Sequence, residues 1–261
     1  MKLIFGDSHV GALIMGSEKY ENQFKLNASH GQNLIDIELT ETKDTLRLFS
    51  EKVADTPALD ITLSKGDRVV FSGPLHSSIV SRHRFWKASA PWTMHESFPH
   101  HQLVSSNYVR IVAQDRTASM VHFLQVAKNM GINIAVIEPP RPSRRALTAS
   151  GVDEVLMAHV DAAYRNAVRT LVKATGTFVI STPEATHDGT FMLPDYQAFS
   201  ETDVHHGNKD YGILALANAA AFLDDETSGA EDAKTTTDTS QTDTPQTGKA
   251  RKSILQKLLK S

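Results

Sequence analysis

Residues 1–10 read Met-Lys-Leu-Ile-Phe-Gly-Asp-Ser-His-Val, an apolar run that leads directly into a glycine turn. The run predicts a first β-strand over residues 2–5, and the turn leaves Ser8 just beyond the carboxyl end of that strand. Open α/β sheets build their binding sites at this edge. The opening of the chain therefore predicts an α/β fold. It also places Ser8 at the edge of the sheet where binding sites form, the position expected of a nucleophile.

A second polar motif, Asp203-Val204-His205-His206-Gly207-Asn208, precedes the last apolar helix of the chain. A serine hydroxyl is a poor nucleophile unless a base takes its proton and a carboxylate orients that base. Asp203 with either His205 or His206 supplies both groups. An aspartate just before a helix also commonly acts as its N-cap, so this structural role for Asp203 remains open.

Gly6-Asp7-Ser8 near the start, with Asp-x-x-His before the final helix, resembles the SGNH (GDSL-type) hydrolase family over roughly the first 223 residues. The resemblance implies Ser8 as nucleophile, His206 as base and Asp203 as the group that orients His206. It also implies a three-layer α/β/α fold with a five-stranded parallel sheet in flavodoxin-like order. The expected activity is hydrolysis of an ester, or acyl transfer, on a small or carbohydrate-linked substrate.

The same resemblance implies an oxyanion hole formed by the backbone amide of the serine, a glycine and an asparagine. Gly31 matches the glycine. The asparagine has no counterpart, because Leu75 occupies its place after the third strand and a leucine side chain cannot donate a hydrogen bond. His76 follows directly and is the expected substitute. Losing one such donor typically lowers the rate by about 10²–10³.

Strand and helix signals alternate along the chain, as expected for βαβ units in a mainly parallel sheet. The further predicted strands are 23–27, 68–72, 132–137 and 178–180. The predicted helices are 10–15, 42–53, 103–130, 152–174 and 210–223.

Residues 74–101 form a long connection that contains both tryptophans of the chain, and they predict a lid-like insertion over Ser8. Together with the proline- and arginine-rich stretch after the fourth predicted strand, this segment suggests a cationic and aromatic rim. Such a rim suits a sugar or an anionic substrate, and the alternative is an arginine-rich solvated loop. We expect Trp86 and Arg141 to contact substrate. The other members of the rim are Arg82, Arg84, Trp92, Arg144 and Arg145.

Composition excludes several classes of function. The chain has no cysteine, which excludes disulfides, thiolate catalysis and cysteine-ligated zinc. Its formal net charge of −3 argues against a general nucleic-acid binder. The first strand begins at once, without a signal peptide or membrane span, so a cytoplasmic protein is expected.

The character of the sequence changes at residue 224. Residues 224–248 are mostly small and polar with almost nothing to bury, which predicts a disordered acidic linker. Residues 249–260 would form a short basic amphipathic helix, suited to an anionic membrane surface or a protein groove. The alternative is a solvated tail.

Two other functions fit parts of the pattern. Asp7 and His9 also resemble the Asp-x-His opening of metal-dependent phosphoesterases, although the further ligand motifs of that class are missing. The absent asparagine would also suit a descendant that binds a ligand without catalysis. The serine mechanism itself requires no metal or organic cofactor.

Overall fold

The computed structural model describes residues 1–20, 23–29, 31–51 and 58–225. The predicted linker beyond residue 225 and the predicted basic helix over 249–260 lie outside these residues. Within the described ranges, none of the helices combines the length and apolar character needed to cross a bilayer.

Strands and α-helices alternate over only part of the described chain, because residues 38–64 contribute three strands and, where they are described, no α-helix. The strands are β1 (Lys2–Gly6), β2 (Lys25–Ala28), β3 (Glu38–Glu41), β4 (Thr45–Ser50), β5 (Leu59–Ser64), β6 (Arg68–Ser72), β7 (Ser89–Pro91), β8 (Gln102–Val104), β9 (Asn133–Ile137) and β10 (Phe178–Ile180). The α-helices are α1 (Val10–Gly16), α2 (Ser78–Ser81), α3 (Tyr108–Asn129), α4 (Arg145–Ser150), α5 (Glu154–Ala174) and α6 (Lys209–Asp224).

Five strands form a parallel central sheet in the order β2-β1-β6-β9-β10. This order is the flavodoxin-like arrangement predicted from the sequence. Gly6 pairs with Ser72, and Ser72 pairs with Ile137, so the carboxyl ends of the three central strands are level. The loops that follow these strands therefore meet at one edge of the sheet.

Helices cover both faces of this sheet, because successive strand residues point to opposite sides. Helices α1 and α6 pack together on one face, where Leu13 and Leu216 meet Ile4 of β1. Helices α3 and α5 pack together against the other, where Phe71 of β6 lies 5.3 Å from Phe123 of α3 between ring centroids. The predicted three-layer α/β/α class is confirmed.

The helix predicted over residues 42–53 is wrong. Residues 45–50 instead form β4, the middle strand of an antiparallel sheet with β3 and β5. Leu46 and Leu48 are both fully buried, and they pair with Leu63 and Ile61 of β5. The burial follows the two-residue period of a strand and not the helical spacing that the sequence suggested.

Candidate active site

The turn after β1 requires glycine at position 6. Gly6 has φ +155°, and a Cβ there would lie 1.9 Å from the carbonyl oxygen of Ser72. The backbone N–H of Asp7 donates to that same oxygen at 3.1 Å. This close approach bends the chain sharply, so that Asp7 is buried and Ser8 is exposed at the sheet edge.

Asp7 stabilises the turn beneath Ser8. Its Oδ1 accepts hydrogen bonds from the backbone N–H of His9 at 3.2 Å and from Ser72 Oγ at 3.0 Å. The carboxylate thereby joins the ends of β1 and β6.

A second turn, just before α6, brings an imidazole to the same edge. Asp203 Oδ1 accepts from the backbone N–H groups of His205 and His206, at 3.2 and 3.1 Å. Asn208, two residues later, is the N-cap of α6 and accepts from the N–H groups of Asp210 and Tyr211. Asp203 is therefore not the cap of this helix, and its second oxygen is free to bind a side chain.

Ser8, His206 and Asp203 form one chain of hydrogen-bonding atoms. His206 Nδ1 lies 2.8 Å from Asp203 Oδ2, and His206 Nε2 lies 2.8 Å from Ser8 Oγ. A carboxylate can only accept, so Nδ1 carries the proton. In the neutral ring Nε2 is then an acceptor, and it faces the serine hydroxyl as a base would.

The surroundings keep Asp203 charged. Burial alone would raise the pKa of Asp203, but hydrogen bonds from the backbone and the ring of His206 outweigh it and hold this pKa below its ordinary value. An ionised Asp203 favours the Nδ1–H form of His206 and would stabilise a protonated ring.

His205 has a different environment from its neighbour. Its Nδ1 lies 3.7 Å from Asp203 Oδ1, too far for a hydrogen bond. Burial, followed by the nearby His206, His76 and Arg82, lowers the pKa of His205 from 6.5 to about 3. His205 is therefore neutral over the physiological pH range and lies beside the Ser8–His206 contact.

A pocket of about 290 Å³ opens beside Ser8. Its walls combine apolar side chains with two arginines and several polar groups. The lining residues are Asp7, Ser8, Gly31, Leu34, Ile35, Gly73, His76, Ser78, Ile79, Arg82, Arg116, Met120, Tyr164 and His205.

The three positions that the sequence assigns to the oxyanion hole differ in placement. Gly31 lies in the pocket wall next to the Asp7 turn. Leu75 is 0% exposed and belongs to the core. His76 reaches the pocket, but its Nε2 lies 2.6 Å from Ser78 Oγ and its Nδ1 lies 3.2 Å from Asp7 Oδ2. Both ring nitrogens thus face protein atoms.

Trp86 and Arg141, expected at the substrate, lie elsewhere. Trp86 is 1% exposed, and its indole N–H donates to the Val80 carbonyl at 2.8 Å, so it offers no face for a sugar ring. Arg141 lies 3.6 Å from Asp161 in a buried charged cluster with Arg165 and is not part of the pocket wall. Both expectations of substrate contact disagree with this placement.

Most of the other rim residues lie outside the pocket, either bound to other protein groups or exposed to solvent. Arg144 pairs with Glu154 and Asp188, and Arg145 donates to the carbonyl of Ala198 at 2.8 Å. Arg84 and Trp92 are exposed outside the pocket wall. Of the predicted cationic and aromatic rim, only Arg82 lines the pocket.

On the long helices, sequence reasoning missed the polar wall residues Arg116 of α3 and Tyr164 of α5. Both are in the middle of long helices, where nothing in the sequence distinguishes a residue that faces a pocket from one that faces a neighbouring helix.

Two groups of described residues have the ligand types and proximity to hold a metal ion. One is Asp203 with His205 and His206, and the other is Asp7 with His9 and His76. The first group includes the Ser8–His206 hydrogen-bond chain, whereas the second lies beneath Ser8.

Comparisons with protein-family models and with curated proteins found no match. Among solved structures, the chain is similar to a proposed SGNH hydrolase from Slackia heliotrinireducens. The identity is 14% and the TM-score 0.46, over 85% of this chain and 97% of that one.

A GDSL-like lipase from Bacteroides thetaiotaomicron matches at 9% identity and TM-score 0.41, over 85% of this chain and 86% of that one. A carbohydrate acetylesterase family member from Sinorhizobium meliloti matches at 12% identity and TM-score 0.43, over 85% and 99% of the two chains. The family that the sequence motifs resemble is thus also among the solved structures to which this chain is similar.

Proposed function

We propose that the protein is a serine ester hydrolase in which Ser8 is the nucleophile, His206 the general base and Asp203 the residue that orients His206. The observation that carries the proposal is the 2.8 Å contact between Ser8 Oγ and His206 Nε2. The chain supplies the base and the carboxylate that a serine hydroxyl needs, in the required order.

The reaction has two halves. His206 Nε2 takes the hydroxyl proton as Ser8 Oγ attacks the ester carbonyl, and the tetrahedral intermediate collapses when His206 returns the proton to the departing alkoxide. Water, activated by His206 in the same way, then hydrolyses the acyl-serine and regenerates the hydroxyl. Asp203 stays ionised and stabilises the imidazolium that forms in each half.

The oxyanion is proposed to bind at the backbone amides of Ser8 and Gly31, two residues that line the pocket. The buried Leu75 offers no third donor at the position where the resembling family has asparagine. A hole built from two backbone amides would give slower turnover, because each donor typically contributes about 10²–10³ in rate.

The proposed substrate is a small ester with a short acyl group and a negative charge. The pocket is at the small end of the range for ligand sites. Arg82 and Arg116 provide positive charge in its wall, and Leu34, Ile79 and Met120 provide apolar surface. The proposed lid-like insertion remains residues 74–101, of which His76, Ser78, Ile79 and Arg82 form one wall of the pocket.

The test is labelling of the full chain with a serine-directed fluorophosphonate, together with hydrolysis of p-nitrophenyl acetate. We expect one label per chain on the Ser8 peptide and loss of both label and turnover in Ser8→Ala. Ser78→Ala is the matched control, because Ser78 also lines the pocket but lies next to His76 rather than His206. It should keep the Ser8 label.

Full turnover in Ser8→Ala would overturn the serine mechanism. If that turnover were also abolished by a chelator, the metal-dependent alternative would replace it.

A further inference from the structure

His9 of the turn after β1 is a buried imidazole. It is 4% exposed, and neither Nδ1 nor Nε2 has a partner among the described residues. Buried polar groups in folded proteins are almost always hydrogen-bonded, so an imidazole with two unpartnered nitrogens calls for an explanation. The serine mechanism makes no use of this side chain.

A second unpartnered atom faces the same place. Asp7 is 1% exposed, and its Oδ2 has no hydrogen-bond partner within the described part of the chain. His76 presents Nδ1 to this oxygen at 3.2 Å, and its ring packs edge-on against His9 with 4.3 Å between centroids. One donor atom from each of the three residues lies within 4.8 Å of the other two.

The chemistry of this set suits a divalent transition-metal ion. Two imidazoles and one carboxylate, with further positions open, form the ligand set of many catalytic zinc and non-haem iron sites. Outer-shell contacts that would orient two ligands are also present. Ser72 Oγ donates to Asp7 Oδ1, and Ser78 Oγ lies beside His76 Nε2, so in each residue the other donor atom remains for the ion.

We propose that Asp7, His9 and His76 hold one divalent metal ion of the Zn²⁺ type directly beneath Ser8. Asp7 and His76 line the pocket, so an ion bound by them would lie at its wall. The site would place a Lewis acid near the nucleophile in a chain that lacks the side-chain oxyanion donor of the family it resembles. The proposal concerns metal binding and does not depend on the serine mechanism.

The test is calorimetric titration of the chelator-stripped full chain with Zn²⁺. We expect one ion per chain. His9→Gln and His76→Gln should each weaken binding at least about 100-fold, since even outer-shell losses at metal sites cost about 10–100-fold. Ser8→Ala should keep the affinity, which separates this result from any failure of the serine mechanism.

Two further variants serve as controls. His122→Gln removes an exposed histidine of α3 and should leave the affinity unchanged. Asp203→Asn disrupts the other group of possible ligands and should also leave it unchanged. In crystals soaked with Zn²⁺, the strongest anomalous peak at the zinc edge should lie between Asp7, His9 and His76.

The proposal is overturned if the chain shows no saturable Zn²⁺ binding. It is equally overturned if Asp203→Asn abolishes binding while His9→Gln and His76→Gln retain it. Should His9→Gln fail to fold, His76→Gln decides alone, because His76 is at the pocket wall and is partly exposed.

Discussion

Gly212 of α6 packs directly against the backbone of Ala12 in α1, so closely that a Cβ at position 212 would lie 1.8 Å from the Ala12 carbonyl oxygen. Helix α1 begins two residues after Ser8, and α6 begins three residues after His206. The contact between these helices therefore fixes the distance between two groups that are 198 residues apart in sequence.

Gly212→Ala should destabilise the fold and lower the esterase activity together. The added methyl group must push α6 away from α1, and overpacking of this kind costs about 1–3 kcal/mol. Urea unfolding measures the first effect and kcat/KM the second.

Gly11→Ala is the matched control, because a Cβ at Gly11 in α1 meets nothing within 4 Å among the described residues. That variant should be as stable as the parent or more stable by up to about 1 kcal/mol. Equal stability of the two variants would contradict the role given to the helix contact.

His206→Gln should lower kcat/KM by about 10²–10⁴, the usual contribution of a general base. His205→Gln should change it less than about tenfold, because the His205 ring is not hydrogen-bonded to Ser8 or Asp203 in the described structure, and the backbone N–H that Asp203 accepts is kept in the variant. The measurement is steady-state hydrolysis of p-nitrophenyl acetate by both variants. A larger loss in His205→Gln would reverse the assignment of the base.

The positions of Ser8 and of the Asp203–His206 motif at the edge of the sheet could be predicted because each follows from a local signal. The apolar strand that ends in glycine predicts that Ser8 lies at the sheet edge. The short polar motif before the last helix predicts the same for Asp203 and the histidines. The flavodoxin-like strand order came from the family resemblance.

The errors arose where distant parts of the chain decide the outcome. Leu46 and Phe49 have helical spacing, but residues 59–64 provide a strand partner that a local window does not contain. Trp86 was expected at the rim, but its indole N–H donates to the Val80 carbonyl in the interior. Arg116 lines the pocket because of the way α3 packs, and no short sequence motif indicates that packing.

The stability of the protein should fall with acid partly because of His205. Its pKa is about 3 in the fold and 6.5 ordinarily. Between these values the unfolded chain binds a proton that the folded chain excludes. Above about pH 6.5 His205 is neutral in both states and does not lower the free energy of unfolding. As the pH falls from about 6.5 toward 3, the free energy of unfolding decreases by up to about 1.4 kcal/mol per pH unit for this one group.

His205→Gln should consequently show a shallower loss of stability between pH 6.5 and 4 than the parent, measured by urea unfolding at several pH values. His122→Gln, which removes an exposed histidine, should follow the parent curve. Parallel curves for the parent and His205→Gln would show that His205 does not contribute.

Arg116→Gln should raise KM for an ester that carries a carboxylate, such as p-nitrophenyl succinate, by about 10–100-fold. A hydrogen bond to a charged group contributes about 1.5–3 kcal/mol. Hydrolysis of the neutral p-nitrophenyl acetate should change little. Arg84→Gln is the control, since Arg84 is exposed and outside the pocket wall. Equal KM effects on both esters would argue against an anionic substrate.

Trapping the acyl-enzyme tests the role of Ser8 as nucleophile most directly. The full chain is mixed with excess p-nitrophenyl acetate, quenched in acid within the first turnovers, and digested for peptide mass spectrometry. We expect one acetyl group per chain on the Ser8 hydroxyl, and none in Ser8→Ala or in His206→Gln. Turnover without any acetylated peptide, or acetylation at another residue with Ser8 unmodified, would contradict it.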